Sequence, residues 1–202
     1  MISSVLFTGF DPFGGEGENP SWLAASLLPE EIGGVKIYRR QLPTSFARSR
    51  EALQKAISEL NPDAVICTGQ AGGRDAISLE SIAYNLADAR IPDNDGDKPE
   101  KQIIYPGESE SLSCTLPLED MLSCISGKGV YARISSDAGR YVCNSIYYEL
   151  LRLCGSEKSA LFVHVPFIPS QLEGKKEGTP SMPLEDITRA FGYIAEFIIS
   201  LS

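Results

Sequence analysis

Short, unbroken apolar runs recur along this chain, separated by segments whose apolar residues fall at helical spacing, and this alternation limits the fold more than any other feature. Residues 5–10, 63–67 and 160–165 are such runs. They are too short for buried helices and too continuous for half-exposed strands, so they fit strands covered on both faces. Residues 35–42 and 130–134 read as further strands, and 77–86 as extended. Between them, Phe46, Leu53, Ile57 and Leu60 share one helical face, which Asn61-Pro62 ends. Val142, Ile146, Leu150 and Leu153 repeat the spacing after Gly139, and Leu184, Ile187, Phe191, Ile194, Ile198 and Leu201 form a last helix. Residues 20–28 and 116–125 are also helix candidates. Strands alternating with helices imply an α/β fold. The expected form is a single-domain α/β/α sandwich with a twisted, mostly parallel central sheet, residues 1–202 forming one catalytic domain. The polar stretch 88–115, with Pro92, Gly96, Pro99, Pro106 and Gly107, reads as a long, partly irregular excursion. No repeat, linker or low-complexity tract interrupts the pattern.

Charge and composition remove several classes of function. The formal net charge is −9 and the pI about 4.7, which opposes nonspecific nucleic-acid binding. Lys175-Lys176 is flanked by Glu173 and Glu177 and reads as a solvated loop. No apolar run approaches the ~20 residues of a membrane span. The first seven residues carry no basic region and read as the start of a strand rather than a signal peptide. Five cysteines are an odd number and form no Cys-x-x-Cys, so reduced thiols in a cytoplasmic protein are expected.

His164 is the single histidine. One subunit therefore cannot build a His-rich zinc site, and no metal or other cofactor is expected. If Gly96 took the sixth position of a calcium loop, Ile91 and Gln102 would fall at the first and twelfth, and neither is a suitable ligand. Gly9-Phe10-Asp11-Pro12-Phe13-Gly14 begins like a phosphate loop, but Gly15 and Glu16 stand where Lys and Ser or Thr belong. Cys143 differs from the other cysteines because it follows a glycine-containing turn that enters a helix. Unpaired N–H groups at a helix start favour thiolate and can receive an oxyanion. The alternative is a small apolar packing residue. His164 lies near the end of a buried strand, where α/β sheets build sites, or else is a satisfied core imidazole. Glu80 is a carboxylate in an otherwise uncharged, strand-like run. It either faces water at a sheet edge or is buried with a partner such as an imidazole N–H.

Seven segments, in order, resemble the pyrrolidone-carboxylate peptidases (pyroglutamyl peptidases of type I) and cover most of the chain. They are Thr8-Gly9-Phe10-Asp11-Pro12-Phe13-Gly14-Gly15, Asn19-Pro20-Ser21-Trp22, Arg40-Gln41-Leu42-Pro43, Gly69-Gln70-Ala71-Gly72-Gly73-Arg74, Asp88-Ala89-Arg90-Ile91-Pro92-Asp93-Asn94, Ala138-Gly139-Arg140-Tyr141-Val142-Cys143-Asn144 and Phe162-Val163-His164-Val165-Pro166. The resemblance implies removal of N-terminal pyroglutamate from peptides by a Cys-His-Glu triad. Cys143 matches the nucleophile, His164 the base and Glu80 the acid. Phe10 and Phe13 match the pocket walls, Gln70 a backbone contact to the lactam, Arg90 a side chain at the scissile carbonyl and Asn19 a pocket position. It also implies a cytoplasmic enzyme without cofactor, forming homotetramers, with pyroglutamyl peptides as its partners and neither nucleic acid nor membrane among them. Arg140 departs from the family pattern, where a small residue is frequent, and 98–115 matches no family segment.

The substrate suits such a pocket. Pyroglutamate has no α-ammonium, so its site needs flat apolar walls and a few groups to pair with the lactam. An open-chain glutamine would carry a charge into that slot, at a cost of several kcal/mol. Two other readings remain at this stage: another cysteine amidase or acyl hydrolase, and a noncatalytic α/β module that keeps the pocket.

Overall fold

The computed structural model describes residues 2–201. Its centre is a seven-stranded sheet. In chain order the strands are β1 (Ser4–Phe10), β2 (Glu31–Ile32), β3 (Val35–Leu42), β4 (Ala64–Gln70), β5 (Ile77–Glu80), β8 (Ala132–Ser135) and β9 (Ser159–Val165). A separate two-stranded ribbon pairs β6 (Ile82–Tyr84) with β7 (Ser111–Ser113). The spatial order of the main sheet is β2-β3-β1-β4-β9-β5-β8. The junctions β3-β1, β1-β4, β4-β9 and β5-β8 are parallel, while β2-β3 and β9-β5 are antiparallel.

Helices cover both faces, as the alternating pattern requires. Helices α1 (Pro20–Ser26), α3 (Leu118–Gly127) and α5 (Leu184–Ser200) bury Ala24, Met121, Ile187, Phe191 and Ile194 against Val5, Phe7, Ile66 and Val163. On the other face, α2 (Arg48–Leu60) and α4 (Val142–Cys154) bury Leu53, Val142, Ile146 and Tyr147 against Leu6, Phe10, Val65, Cys67 and Phe162. Successive strand residues point to opposite faces, so each central strand feeds both cores. That accounts for their unbroken apolar character. No helix among the described residues is long and apolar enough to cross a membrane.

The structure departs from the sequence pattern in four places. The segment 77–86 breaks at Ser81: β5 stays in the main sheet while β6 leaves for the ribbon. The strand β2 is new, joined to β3 through Gly33-Gly34, both with positive φ. Two such glycines between short strands are a recognised hairpin signal. Phe46 precedes α2 rather than lying on it, and Leu153 and Leu201 are exposed.

The excursion 88–115 is mostly irregular, but it is pinned. Tyr105 exchanges two 2.8 Å bonds with Asn85, one through its N–H and one through its carbonyl. Its hydroxyl donates to Glu149 on α4 at 2.6 Å. Glu149 is fully buried and also accepts from Gln54 (2.6 Å) and from Arg152 (3.0 Å). Burial alone would raise its carboxyl, but Arg152, Gln54 and Tyr105 outweigh that and hold it below the ordinary range. The stabilisation is therefore present at neutral pH and lost as acid protonates the carboxylate. Glu149→Ala strands three donors at once and is expected to cost about 3 kcal/mol in denaturant unfolding at neutral pH. A loss under about 1 kcal/mol would show that the network is replaceable by water.

Candidate active site

A cleft of about 610 Å³ opens at the carboxyl ends of β1, β4 and β9. Open α/β sheets bind ligands at this edge, where loops leave the strands in different directions. Each strand delivers one of the expected residues: Phe10 ends β1, Gln70 ends β4 and His164 is the penultimate residue of β9. Cys143 enters from above as the second residue of α4. The cleft is lined by all of these and by Phe13, Asn19, Arg74, Arg90, Arg140 and Tyr141.

His164 and Glu80 meet through strand pairing. The antiparallel register sets Ser78 opposite His164 and Glu80 opposite Phe162. Glu80 is thus the diagonal neighbour of His164 on the same face, within reach of a long side chain. The His164 Nδ1 lies 2.7 Å from Glu80 Oε1. Both side chains are buried. Burial works to raise the Glu80 carboxyl, but the hydrogen bond and charge of His164, together with Arg74, hold it below the ordinary value. An ionised carboxylate can only accept, so Nδ1 donates to it, and in the neutral imidazole Nε2 keeps its lone pair. The Phe162 ring lies against the imidazole, centroids 4.9 Å apart, and limits its rotation.

The position of Cys143 depends on a missing side chain. Gly69 is paired with His164 across β4 and β9. A Cβ at Gly69 would lie 2.7 Å from Cys143 Sγ and 3.0 Å from the Phe162 ring. The sulfur therefore sits over the strand, on the face that carries His164. Tyr141, the residue that caps α4, makes no side-chain cap bond, so the first-turn N–H groups are left to the cleft. The pull of the helix start towards thiolate is opposed by the surroundings. Burial, followed by the nearby Glu80 charge, pushes the Cys143 thiol up to about 12, and Arg74 only partly offsets this.

The expected pocket residues fall into two groups. Phe10 and Phe13 line the cleft, and Phe13 packs against Tyr141 with centroids 5.9 Å apart. Tyr141 also meets Phe46 edge-on at 5.4 Å, completing an aromatic wall. Arg90 is exposed at the cleft, and among the described residues it takes no hydrogen-bond or ion-pair partner. Gln70 and Asn19 spend their side chains internally. Gln70 Oε1 accepts from Gln171 at 2.9 Å. Asn19 caps α1 by accepting from the Ser21 N–H at 3.1 Å and donates to the Asp11 carbonyl at 3.0 Å, fixing the turn that carries Phe13.

Sequence reasoning assigned no role to four residues that shape the site. Arg74 pairs with Glu80 at 2.6 Å. Asn144 binds the backbone of Tyr84 and Leu86, holding the β6 segment to α4. Tyr147 donates to the Glu80 carbonyl at 2.6 Å. Gln171 orients Gln70. A signal existed for Arg74, since a buried Glu80 demands cationic or donor partners and an arginine lies six residues away. Arg140, the departure from the family pattern, stacks on Tyr84 at 3.8 Å and pairs with Asp137 at 2.8 Å. Among the described residues, no group of three or more His, Cys, Asp or Glu is placed to hold a metal ion.

Known proteins resemble this chain along nearly its whole length. The family model described as pyroglutamyl peptidase matches residues 3–200. A pyrrolidone-carboxylate peptidase of Thermococcus onnurineus is 44% identical over 193 residues, 94% of this chain and 96% of that protein. One from Thermosipho melanesiensis is 44% identical over 199 residues, 97% of this chain and 98% of that protein. The crystal structure of pyroglutamyl peptidase I from Bacillus amyloliquefaciens superposes with a TM-score of 0.92 at 40% identity, covering 97% of this chain and 94% of that one. A mutant pyrrolidone carboxyl peptidase from Pyrococcus furiosus superposes with a TM-score of 0.94 at 40% identity, covering 98% of both chains.

Proposed function

The chain belongs to the pyroglutamyl peptidase family, and from that premise we propose that Cys143, His164 and Glu80 carry out its reaction as nucleophile, base and orienting acid. The activity is that of a cysteine peptidase that removes an N-terminal pyroglutamate from peptides. The observation that carries the residue assignment is the 2.7 Å bond between buried His164 and Glu80, with Cys143 seated over the adjacent strand.

Substrate enters with its lactam ring between Phe10, Phe13 and Tyr141 and its scissile carbonyl over Cys143. The thiol loses its proton as it attacks: His164 Nε2 takes that proton while the S–C bond forms. The carbonyl oxygen gains the charge. The Cys143 N–H and the unpaired Arg90 guanidinium receive it. The imidazolium is stabilised by Glu80 and returns its proton to the leaving amine as the C–N bond breaks. Water, deprotonated by His164, then cleaves the thioester and restores the thiol.

The pocket's specificity follows from what it leaves out. Phe10, Phe13 and Tyr141 give the slot aromatic walls, and of the two aspartates lining the cleft Asp137 is already paired with Arg140, which favours the uncharged lactam. A panel of aminoacyl fluorophores tests this directly. Pyroglutamyl substrate should be cleaved, with glutaminyl and prolyl substrates slower by about 10^2-fold or more. No release from the pyroglutamyl substrate, or equal release from all three, would overturn the assignment. The reading of residues 1–202 as one catalytic domain is supported by the seven-stranded sheet, whose strands feed both helical layers.

A further inference from the structure

The guanidinium of Arg74 touches two parts of the site that belong to different regions of the chain. Its Nη1 donates to Glu80 Oε1 at 2.6 Å, the same oxygen that His164 Nδ1 meets at 2.7 Å. Its Nη2 donates to the Asp137 carbonyl at 2.7 Å. Asp137 belongs to the turn that delivers Cys143, and its side chain accepts from the Gly139 N–H at 3.0 Å. The other Glu80 oxygen, Oε2, is buried without a hydrogen-bond partner. The hydrogen bonds from the imidazole and from Arg74 thus share one oxygen of this fully buried carboxylate, and the Ser135 hydroxyl lies near enough to help lower its pKa.

Resting on the triad assigned above, we propose that Arg74 is a positioning residue whose guanidinium, bonded to the Glu80 oxygen that His164 meets, sets the pH at which the Glu80–His164 pair takes up its proton, while its second arm ties that pair to the turn ahead of Cys143. The physical argument concerns the pair as a unit. The working form, with Glu80 ionised and His164 neutral, carries one negative charge. Adding a proton makes the pair neutral, whichever residue holds it. A neighbouring cation stabilises the first form over the second, so Arg74 holds back protonation of the base. Burial removes the water that would otherwise screen this effect.

Other charged or titratable groups around the pair do not replace Arg74. From α4 the Cys143 thiol and the Tyr147 hydroxyl face it, and both are uncharged at neutral pH, their protons held by burial. From β8, Arg133 approaches Ser78 but is paired with Asp75 at 3.1 Å. In the turn before α4, Arg140 is paired with Asp137 at 2.8 Å. Arg74 is the cation that contacts the carboxylate itself.

The test uses the fact that His164 is the only histidine, so one imidazole signal reports its titration by NMR without any need for activity. In Arg74→Gln the midpoint should move up by about one pH unit relative to the unmodified protein. Arg74→Lys keeps the charge and should bring the midpoint back towards the original. The acid limb of kcat/KM should follow the same shifts. Because lysine cannot span both partners, Arg74→Lys should still lose about 10-fold in kcat, reflecting the broken tie to Asp137. A lower kcat/KM at every pH with the midpoint unmoved in Arg74→Gln would overturn the proposal and leave Arg74 as a structural strut. Should Arg74→Gln fail to fold, Arg74→Met carries the same reading; failure of both to fold would assign the residue to stability instead. If the imidazole shifts while activity does not depend on it, the fault lies in the triad assignment and not in Arg74.

Discussion

Cys143→Ser is expected to lower kcat/KM for a pyroglutamyl substrate by roughly 10^4-fold or more, with the folded state unchanged. The substitution is nearly isosteric, so packing over Gly69 survives. What changes is the acidity of the nucleophile. The wild-type thiol is already pushed up to about 12 by burial, and His164 must remove its proton in the attacking step. A serine hydroxyl is far less acidic and lies in the same buried place, so the same imidazole cannot supply the anion at a useful rate. The N–H of residue 143 and Arg90 would persist and account for any residual turnover. Matching thermal unfolding curves for the two proteins would establish that the loss is chemical. Alkylation gives an independent check: inactivation and labelling of Cys143 should run together, and added 5-oxoproline should slow both. Normal turnover by the serine variant would end the nucleophile assignment.

Gly69→Ala is expected to do almost as much damage without touching a reactive group. Gly69 does not have a positive φ, so alanine fits its backbone. The cost is steric. The new Cβ would lie 2.7 Å from the Cys143 sulfur and 3.0 Å from Phe162, and Phe162 is fully buried. The ring cannot retreat, so the first turn of α4 must. A displacement on the order of 1 Å at the nucleophile costs about 10^2-fold in kcat/KM. Overpacking of the core costs a further 1–3 kcal/mol or so in stability. Gly192→Ala is the matched control, because nothing lies within 4 Å of its added Cβ and it sits inside α5. That change should leave activity alone and raise stability by about 0.5–1 kcal/mol. Full activity in Gly69→Ala would mean that the sulfur does not rest on β4.

The layered fold was legible because its cause is local. A strand covered on both faces loses its alternation, and residues 5–10, 63–67 and 160–165 carry that mark. Helical spacing marked α2, α4 and α5 for the same reason: one face of each must leave water. The break at Ser81 carried no such mark, because β5 and β6 are both apolar enough for one strand. Only the competing partners, β9 on one side and β7 on the other, divide them. The Gly33-Gly34 hairpin was legible in principle, through the positive φ that only glycine accepts cheaply.

The sequence by itself determined which groups were available for chemistry: one imidazole, a cysteine entering a helix, a carboxylate in an apolar strand and two phenylalanines in a glycine-rich turn. Tertiary structure decided how they act. Reversing β5 against β9 makes Glu80 the diagonal neighbour of His164, a contact between residues 84 apart in the chain. It brings Arg74 to the same oxygen, which no periodicity announces. It also sets a second influence against the helix end at the nucleophile. Read along the chain, Cys143 sits at a helix start and should favour the thiolate. In the folded protein the same residue lies over β4 near Glu80, and burial with that charge raises the thiol. A helix terminus is a local property, whereas the dielectric around a sulfur is set by everything that packs on it, and that is fixed only when the sheet closes.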